Sequence, residues 1–232
     1  MKRASLFAII FTVIIAVFSV IPNVYARDFD ASDYAVYVPD SAEDDKELPV
    51  IIGFSAGGSG NSVVNIWKDA AEKYKCIIIA SNVVKNGMDI QNELKQIKQD
   101  LQNELKNKYP IDLKRVIAVG SSGGGMASHL FSFLHRDLIA GVISNVGYIH
   151  EGTIAQSNNY TRNKVCAFLA GSGDFNKPLM KEDLKFLQNH DWKCKWIEFE
   201  GGHHMAPEEY REEALEFVLT EINKQLEENH NG

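Results

Sequence analysis

Three polar residues follow apolar segments of the chain, and their side chains combine into one kind of chemistry. Ser122 lies in Gly120-Ser121-Ser122-Gly123-Gly124, Asp174 ends the stretch GSGD, and His203 follows two glycines in GGHH. A serine hydroxyl becomes a nucleophile when a histidine accepts its proton and a carboxylate orients that histidine. The sequence therefore predicts Ser122 as nucleophile, His203 as general base and acid, and Asp174 as the orienting acid.

Ser122 occupies the centre of the pattern G-x-S-x-G between an expected strand and an expected helix. The apolar run 116–119 indicates a buried strand, and helix-compatible residues follow the glycines. Small residues at both flanks suit a tight turn that presents the hydroxyl at the carboxyl end of a strand, above the positive end of a helix. A plain glycine-rich turn is the alternative interpretation.

The other two residues each have a competitor nearby. His204 is adjacent to His203, and either histidine is also compatible with a solvated surface loop. Asp174 is also compatible with a helix-capping role, whereas Asp183 and Asp191 lie within or at the end of the next expected helix and fit an orienting acid less well. The chain order nucleophile, acid, histidine favours Ser122, Asp174 and His203.

A second glycine-rich loop follows the apolar segment 48–54 and has the sequence Ser55-Ala56-Gly57-Gly58. It lacks both the Lys-Ser/Thr of a phosphate loop and the G-x-G-x-x-G of a dinucleotide loop. We therefore expect an oxyanion hole, with the backbone N–H of Gly123 as one donor and that of Ala56 or Gly57 as the other. No cofactor is expected. Adjacent histidines without a carboxylate or cysteine cluster do not indicate a metal site.

Apolar segments alternate with amphipathic ones along most of the chain. The segment 76–80 is continuously apolar, which is typical of a parallel strand covered on both faces, and the segments 116–119, 139–146 and 165–169 are further expected strands. Helical spacing of apolar residues separates them. The pattern predicts an α/β fold with a doubly wound, mostly parallel sheet, helices on both faces and no separate lid domain. Function gathers at the carboxyl ends of strands in such sheets.

The first 26 residues have the pattern of an export signal. Lys2 and Arg3 precede an apolar run, Pro22 breaks that run, and Val24-Tyr25-Ala26 offers a cleavage site before residue 27. An uncleaved membrane anchor is the alternative. We expect a single catalytic domain over 27–232, exported to the periplasm or the extracellular space. Cleavage would lower the formal charge from −7 to −9, and an acidic product without basic clusters predicts no nucleic-acid partner and no stable membrane association.

The chain has three cysteines, too few for a disulfide scaffold. Cys76, Cys166 and Cys194 each lie in or beside an apolar stretch, so buried thiols are expected. A bridge between Cys166 and Cys194 is the alternative.

Longer motifs resemble those of secreted esterases of the polyhydroxybutyrate depolymerase and feruloyl esterase kind, within the α/β-hydrolase superfamily. The segment YPIDLKRVIAVGSSGGGMASHL, continuing to IAGVISNVG, is similar to their elbow, and Asp112, Lys114, Arg115 and Val116 match its lead-in. GSGDFNKP resembles their acid loop. FEGGHHMAP resembles their histidine loop, in which the histidine after the glycine pair, here His203, is catalytic.

The resemblance implies a serine carboxylic-ester hydrolase that acts through an acyl-enzyme and needs no cofactor. One departure is that the family has His-Gly-Gly or His-Gly-x where this chain has Ser55-Ala56-Gly57. The chain is also short for the family, which favours a small, open pocket and soluble esters of small to medium size. A peptidase or acyl transferase on the same fold, and a non-catalytic exported binding protein, are the competing hypotheses. Oligomeric state and ester specificity are not predicted.

Overall fold

A seven-stranded sheet forms the centre of the protein. The computed structural model describes residues 29–40, 42, 46–154 and 160–230, so the expected signal segment 1–26 lies outside it. The strands are β1 (Tyr34–Tyr37), β2 (Leu48–Phe54), β3 (Ile77–Ser81), β4 (Ile111–Ser121), β5 (Ile139–Asn145), β6 (Val165–Gly171) and β7 (Lys193–Phe199). Their order in the sheet is β1-β3-β2-β4-β5-β6-β7. β1 pairs antiparallel with β3 at the edge, and the other neighbours are parallel.

Helices cover both faces of this sheet. They are α1 (Gly60–Tyr74), α2 (Gln91–Asp100), α3 (Lys106–Lys108), α4 (Gly123–Leu134), α5 (Glu151–Ile154), α6 (Lys177–Gln188) and α7 (Glu208–His230), with a 3-10 turn at Ala31–Asp33 and a π-helical turn, Leu101–Leu105, between α2 and α3. On one face α1 and α7 bury Trp67 and Leu215. On the other, α2, α4 and α6 bury Leu94, Phe131 and Met180. The predicted doubly wound α/β architecture is confirmed.

The strand register brings three loops to one edge of the sheet. β4 and β5 pair up to Ser121 opposite Asn145, and β5 pairs with β6 up to Asn145 opposite Leu169. β6 and β7 end together, with Gly171 opposite Phe199. The loops after β4, β6 and β7 therefore start from neighbouring positions. Within the described ranges, no lid domain is inserted at this edge.

Two element boundaries differ from the sequence-based expectation. β4 begins at Ile111 rather than near residue 116, because Ile111 pairs with Leu48 of β2; the register then shifts, and regular pairing resumes with Val116 opposite Val50. The sequence predicts a short helix over about 181–190, whereas α6 begins at Lys177. Pro178 lies in its first turn, where its missing N–H leaves no helical hydrogen bond broken.

The cysteines are free thiols. Cys166 and Cys194 are opposite each other on β6 and β7, so the two residues weighed as a disulfide pair are neighbours without a bond between them. Burial raises the pKa of the Cys194 thiol to about 12, which keeps it protonated and unreactive. None of the described helices combines the length and apolarity needed to cross a membrane.

Candidate active site

Ser122 lies at the sharp turn between β4 and α4. Its backbone has φ 54° and ψ −119°, a conformation that is strained for a residue with a side chain. Its N–H donates to the carbonyl of Asn145 at 2.8 Å, which holds the turn against the neighbouring strand. A serine at this position commonly caps the helix, but the Ser122 side chain makes no such hydrogen bond. Its hydroxyl is available for another partner.

The glycines on either side of Ser122 are required by close backbone contacts. A Cβ on Gly120 would lie 2.2 Å from the carbonyl group of Gly124, and a Cβ on Gly124 would lie 2.2 Å from the carbonyl oxygen of Phe54. These are backbone atoms of the turn and of the end of β2, and they cannot move aside without separating the turn from the strand. The G-x-S-x-G spacing therefore has a steric cause in this structure.

Ser122, His203 and Asp174 form one line of hydrogen bonds. His203 Nε2 lies 2.8 Å from Ser122 Oγ, and His203 Nδ1 lies 2.9 Å from Asp174 Oδ1. Because the carboxylate is an acceptor, Nδ1 carries a proton and Nε2 is left to accept the serine hydroxyl proton. The structure thus brings together the three residues that the sequence analysis singled out on three separate loops.

The carboxylate of Asp174 is enclosed, whereas the imidazole reaches solvent. The Asp174 side chain is fully buried and that of His203 is one quarter exposed. Asp174 Oδ1 also accepts the backbone N–H of Asn176 at 3.0 Å. Asn176 is the N-cap of α6, so this bond belongs to the turn before the helix and Asp174 is not the capping residue. A buried carboxylate fixes the imidazole tautomer and stabilises the imidazolium that forms on proton transfer.

The competing residues lie elsewhere. His204 is exposed, and its Nδ1 contacts the carbonyl of Met205 at 2.9 Å. Asp183 is buried in α6, where it accepts the N–H of Ile149 at 2.7 Å, and burial raises its pKa to about 7. Asp191 is exposed and pairs with Arg162. None of these three side chains hydrogen-bonds to the side chain of Ser122 or of His203.

Two clefts lie at this edge of the sheet, and one of them contains Ser122. One has a volume of about 230 Å³ and is lined by Ser122, Ala56, Trp67 and Met205 among others. The other, of about 300 Å³, lies beside Gly123 and includes Met126.

Ser55 borders both clefts. Of the two residues weighed for the second oxyanion donor, Ala56 lines the cleft that contains Ser122, whereas the lining of that cleft does not include Gly57. The Ser55 hydroxyl accepts the N–H of Ser59 at 2.7 Å, which folds the loop after β2 back on itself.

The arrangement has the parts needed for acyl transfer. A hydroxyl, a base that can take its proton and a buried carboxylate are aligned at the amino end of α4, where the helix dipole favours developing negative charge. Among the described residues there is no group of three or more His, Cys, Asp or Glu side chains arranged to hold a metal ion. The chemistry available from these residues is nucleophilic attack on an electrophilic carbon with proton transfer through the imidazole.

The fold of the chain is similar to those of solved esterases and serine hydrolases. Its structure is similar to a Bacillus cereus carboxylesterase, with 16% identity over 81% of this chain and 93% of that one and a TM-score of 0.64. A ferulic acid esterase is 17% identical over 82% and 91% of the two chains, with a TM-score of 0.58. The Staphylococcus aureus fluorophosphonate-binding serine hydrolase FphF is 12% identical over 82% and 91%, with a TM-score of 0.61.

These likenesses, together with the sheet order, show that the chain has the α/β-hydrolase fold that the resemblance implied. Neither a protein-family model nor a curated protein sequence matches it.

Three residues of the site were not predicted from the sequence. Asn145 and Asn176 make buried side-chain hydrogen bonds between the loops, and Phe175 covers a face of the His203 ring. For Asn145 a signal existed, since a polar residue ends an otherwise apolar strand at the functional edge. Nothing in the local sequence marks the other two.

Proposed function

We propose that this protein is an exported serine carboxylic-ester hydrolase with Ser122, His203 and Asp174 as its catalytic residues. The observation that carries the proposal is the hydrogen-bonded line from Ser122 Oγ through the imidazole to Asp174, with both contacts below 3 Å. The strained backbone at Ser122 supports it, since such strain persists where the surrounding structure enforces it at functional sites.

The proton path follows from the hydrogen bonds. Ser122 Oγ attacks the ester carbonyl while its proton passes to His203 Nε2, and the imidazolium then protonates the departing alcohol. Water enters, gives its proton to Nε2 and attacks the acyl-enzyme, and Ser122 Oγ regains a proton as the acid leaves. Asp174 remains ionised throughout and stabilises the charged imidazole.

Negative charge on the carbonyl oxygen needs donors in place before the reaction. We assign the N–H of Gly123, in the first turn of α4, and the N–H of Ala56 to this role. The contact of Ala56 with the same cleft as Ser122 supports it over Gly57. One such donor is typically worth about 3–4 kcal/mol of transition-state stabilisation.

The clefts support substrates of small to medium size. The cleft of about 230 Å³ that contains Ser122 and the cleft of about 300 Å³ beside Gly123 each have room for a short acyl or alcohol group. Both are open to solvent along the edge of the sheet, which suits soluble esters.

The decisive experiment is hydrolysis of p-nitrophenyl acetate together with covalent labelling by a fluorophosphonate probe. The wild-type protein should do both, and Ser122→Ala should lose labelling and about 10⁴–10⁶-fold in rate. His203→Ala should fall in the same range. The matched control is His204→Ala, whose exposed ring lies outside the line and which should keep activity within a few-fold.

Other outcomes select other functions. A wild-type protein that folds but is neither labelled nor active is a binding protein, and the proposal is then wrong. A panel of aminoacyl amides beside simple esters separates a peptidase from an esterase, and transfer to added alcohols identifies an acyl transferase. Equal loss of activity in His203→Ala and His204→Ala would overturn the assigned base.

Export is part of the proposal and has its own test. The basic start, apolar run and small residues before position 27 support it. Fractionation of cells that express the full chain, with N-terminal sequencing of the product, should give a protein that begins at Arg27 outside the cytoplasm. Recovery of an uncleaved chain in the membrane fraction would favour the anchor instead.

A further inference from the structure

Asn145, the last residue of β5, lies between the nucleophile and the histidine loop. Its side chain is 1% exposed. The amide Nδ2 donates to Ser121 Oγ at 2.8 Å and to the carbonyl of His204 at 3.1 Å. Oδ1 accepts the N–H of Ala206 at 2.9 Å, and the carbonyl of Asn145 accepts the N–H of Ser122 at 2.8 Å. A single residue thus bonds to the chain on both sides of the Ser122–His203 contact.

The position matters because the three loops are not equally coupled. The acid and histidine loops follow adjacent strands and are joined directly, with Gly173 N–H donating to Gly201 O at 2.8 Å and Ser172 N–H to Phe199 O at 2.9 Å. The elbow follows β4, which β5 and β6 separate from β7. The alignment of the nucleophile with the imidazole therefore depends on the hydrogen bonds made by the residues at the end of β5.

The residue after Asn145, Val146, connects the end of β5 to the acid loop. Val146 has φ 45°, a strained value for a β-branched residue. Its carbonyl accepts the side-chain amide of Asn176 at 2.8 Å, and the N–H of Asn176 donates to Asp174 Oδ1 at 3.0 Å. The end of β5 is therefore hydrogen-bonded to all three loops that supply the line.

We propose that Asn145 is a positioning residue that fixes the distance between Ser122 Oγ and His203 Nε2; this rests on the proposed function. The site needs two donors and one acceptor from one short side chain, which an amide supplies. A carboxylate offers acceptors only and would face the carbonyl of His204 without a hydrogen between them. A misplacement of about 1 Å in such a line reduces rate by about 10²-fold.

The test uses N145D, N145L and S121A in the full chain, with Q96L as the matched control. N145D and N145L should lower kcat on p-nitrophenyl acetate by about 10²-fold, with KM unchanged within about twofold, because substrate binding does not use this amide. S121A removes one acceptor without burying a charge and should lower kcat by a smaller factor. Gln96 is a buried amide on α2 that bonds Asp100 at 2.7 Å, so Q96L should affect thermal stability and leave kcat near wild type.

A second readout does not depend on turnover. The proton on His203 Nδ1 gives a deshielded ¹H NMR resonance when Asp174 accepts it. Loss of the hydrogen bond between Ser122 Oγ and Nε2 on the same ring should shift this resonance in N145D and N145L, and the resonance should stay at its wild-type position in Q96L. Where N145L does not fold, the near-isosteric N145D and the milder S121A decide. Variants that keep wild-type kcat and an unchanged resonance overturn the proposal. A wild type without esterase activity refutes the proposed function instead, and the resonance still reports on Asn145.

Discussion

The ring of Phe175 lies against the imidazole of His203, with centroids 4.2 Å apart and planes inclined by 27°. Phe175 is nevertheless 72% exposed. A large apolar side chain in that setting contributes little to the core, since most of its surface stays in water. The fold gains little from this side chain, so its role lies in the contact with His203. That contact restricts the tilt of the imidazole between Ser122 and Asp174.

Replacing Phe175 should therefore affect turnover more than stability. We expect Phe175→Ala to lower kcat about two- to tenfold, in line with the 0.5–1.5 kcal/mol of an aromatic pair, while the melting temperature changes little. Phe175→Tyr should retain activity. Leu179→Ala is the control, since Leu179 is the other large apolar residue that is exposed in the described part of the chain. Steady-state kinetics and thermal melts on the same preparations check both, and an equal loss in Leu179→Ala would contradict the prediction.

Gly123 packs so closely against the loop after β3 that a side chain at this position would clash with it. A Cβ on Gly123 would lie 1.8 Å from Asn86 Oδ1, and Asn86 N–H donates to the carbonyl of Ala56 at 2.9 Å. Gly123→Ala should force the Asn86 side chain away and disturb both expected oxyanion donors, lowering the fluorophosphonate labelling rate about tenfold or more.

The double variant Gly123→Ala/Asn86→Ala isolates that cause. Removing the Asn86 side chain gives the new methyl group its space, because Asn86 is exposed and its backbone hydrogen bond to Ala56 is kept. Labelling should recover towards the rate of Asn86→Ala alone. Failure to recover would mean that the methyl group acts on the substrate rather than through Asn86.

The sequence predicted the site where local signals exist. Ser122 and Asp174 each follow an apolar strand and His203 follows the mixed strand β7, and the glycines beside them mark turns, so a parallel sheet brings them to one edge. Phe175 and the hydrogen bonds of Asn145 depend on which loops become neighbours in space, and that follows from strand order and register. The early start of β4 has the same origin, since it depends on the pairing of Ile111 with Leu48 of β2 ahead of the register shift at the polar residues.

Burial of Asp183 makes it a source of instability at neutral pH. The folded pKa is about 7, against 3.8 for the free side chain, because burial disfavours the charged form. The folded state binds the extra proton between these values, so this group reduces stability as the pH rises from about 4 to 7.

Asp183→Asn should remove that loss. The amide oxygen keeps the hydrogen bond that Ile149 donates, and we expect the variant to be more stable than wild type by on the order of 2–4 kcal/mol at pH 8 and nearly equal at pH 4. Urea denaturation at the two pH values measures the difference. Glu228→Gln, at an exposed position near the end of α7, should show no such pH dependence.

His129 should destabilise the folded protein in the opposite, acid pH range. Its side chain is completely buried in α4 against Phe168, and within the described structure neither ring nitrogen has a hydrogen-bond partner. Burial lowers its pKa from 6.5 to about 3. The unfolded chain therefore binds a proton that the folded chain does not between these values, and stability falls as the pH drops through this range.

His129→Leu should flatten that dependence. A leucine has no polar atoms to leave unsatisfied, so the variant should equal or exceed wild type at pH 7, and its advantage should grow by about 3 kcal/mol on going to pH 4. Asp183 acts in the opposite direction but equally in both proteins, so the difference between them isolates His129. Denaturant titrations across this range test it, with His230→Gln, exposed at the end of α7, as control. Parallel stability curves for His129→Leu and wild type would show that the buried imidazole does not drive the acid transition.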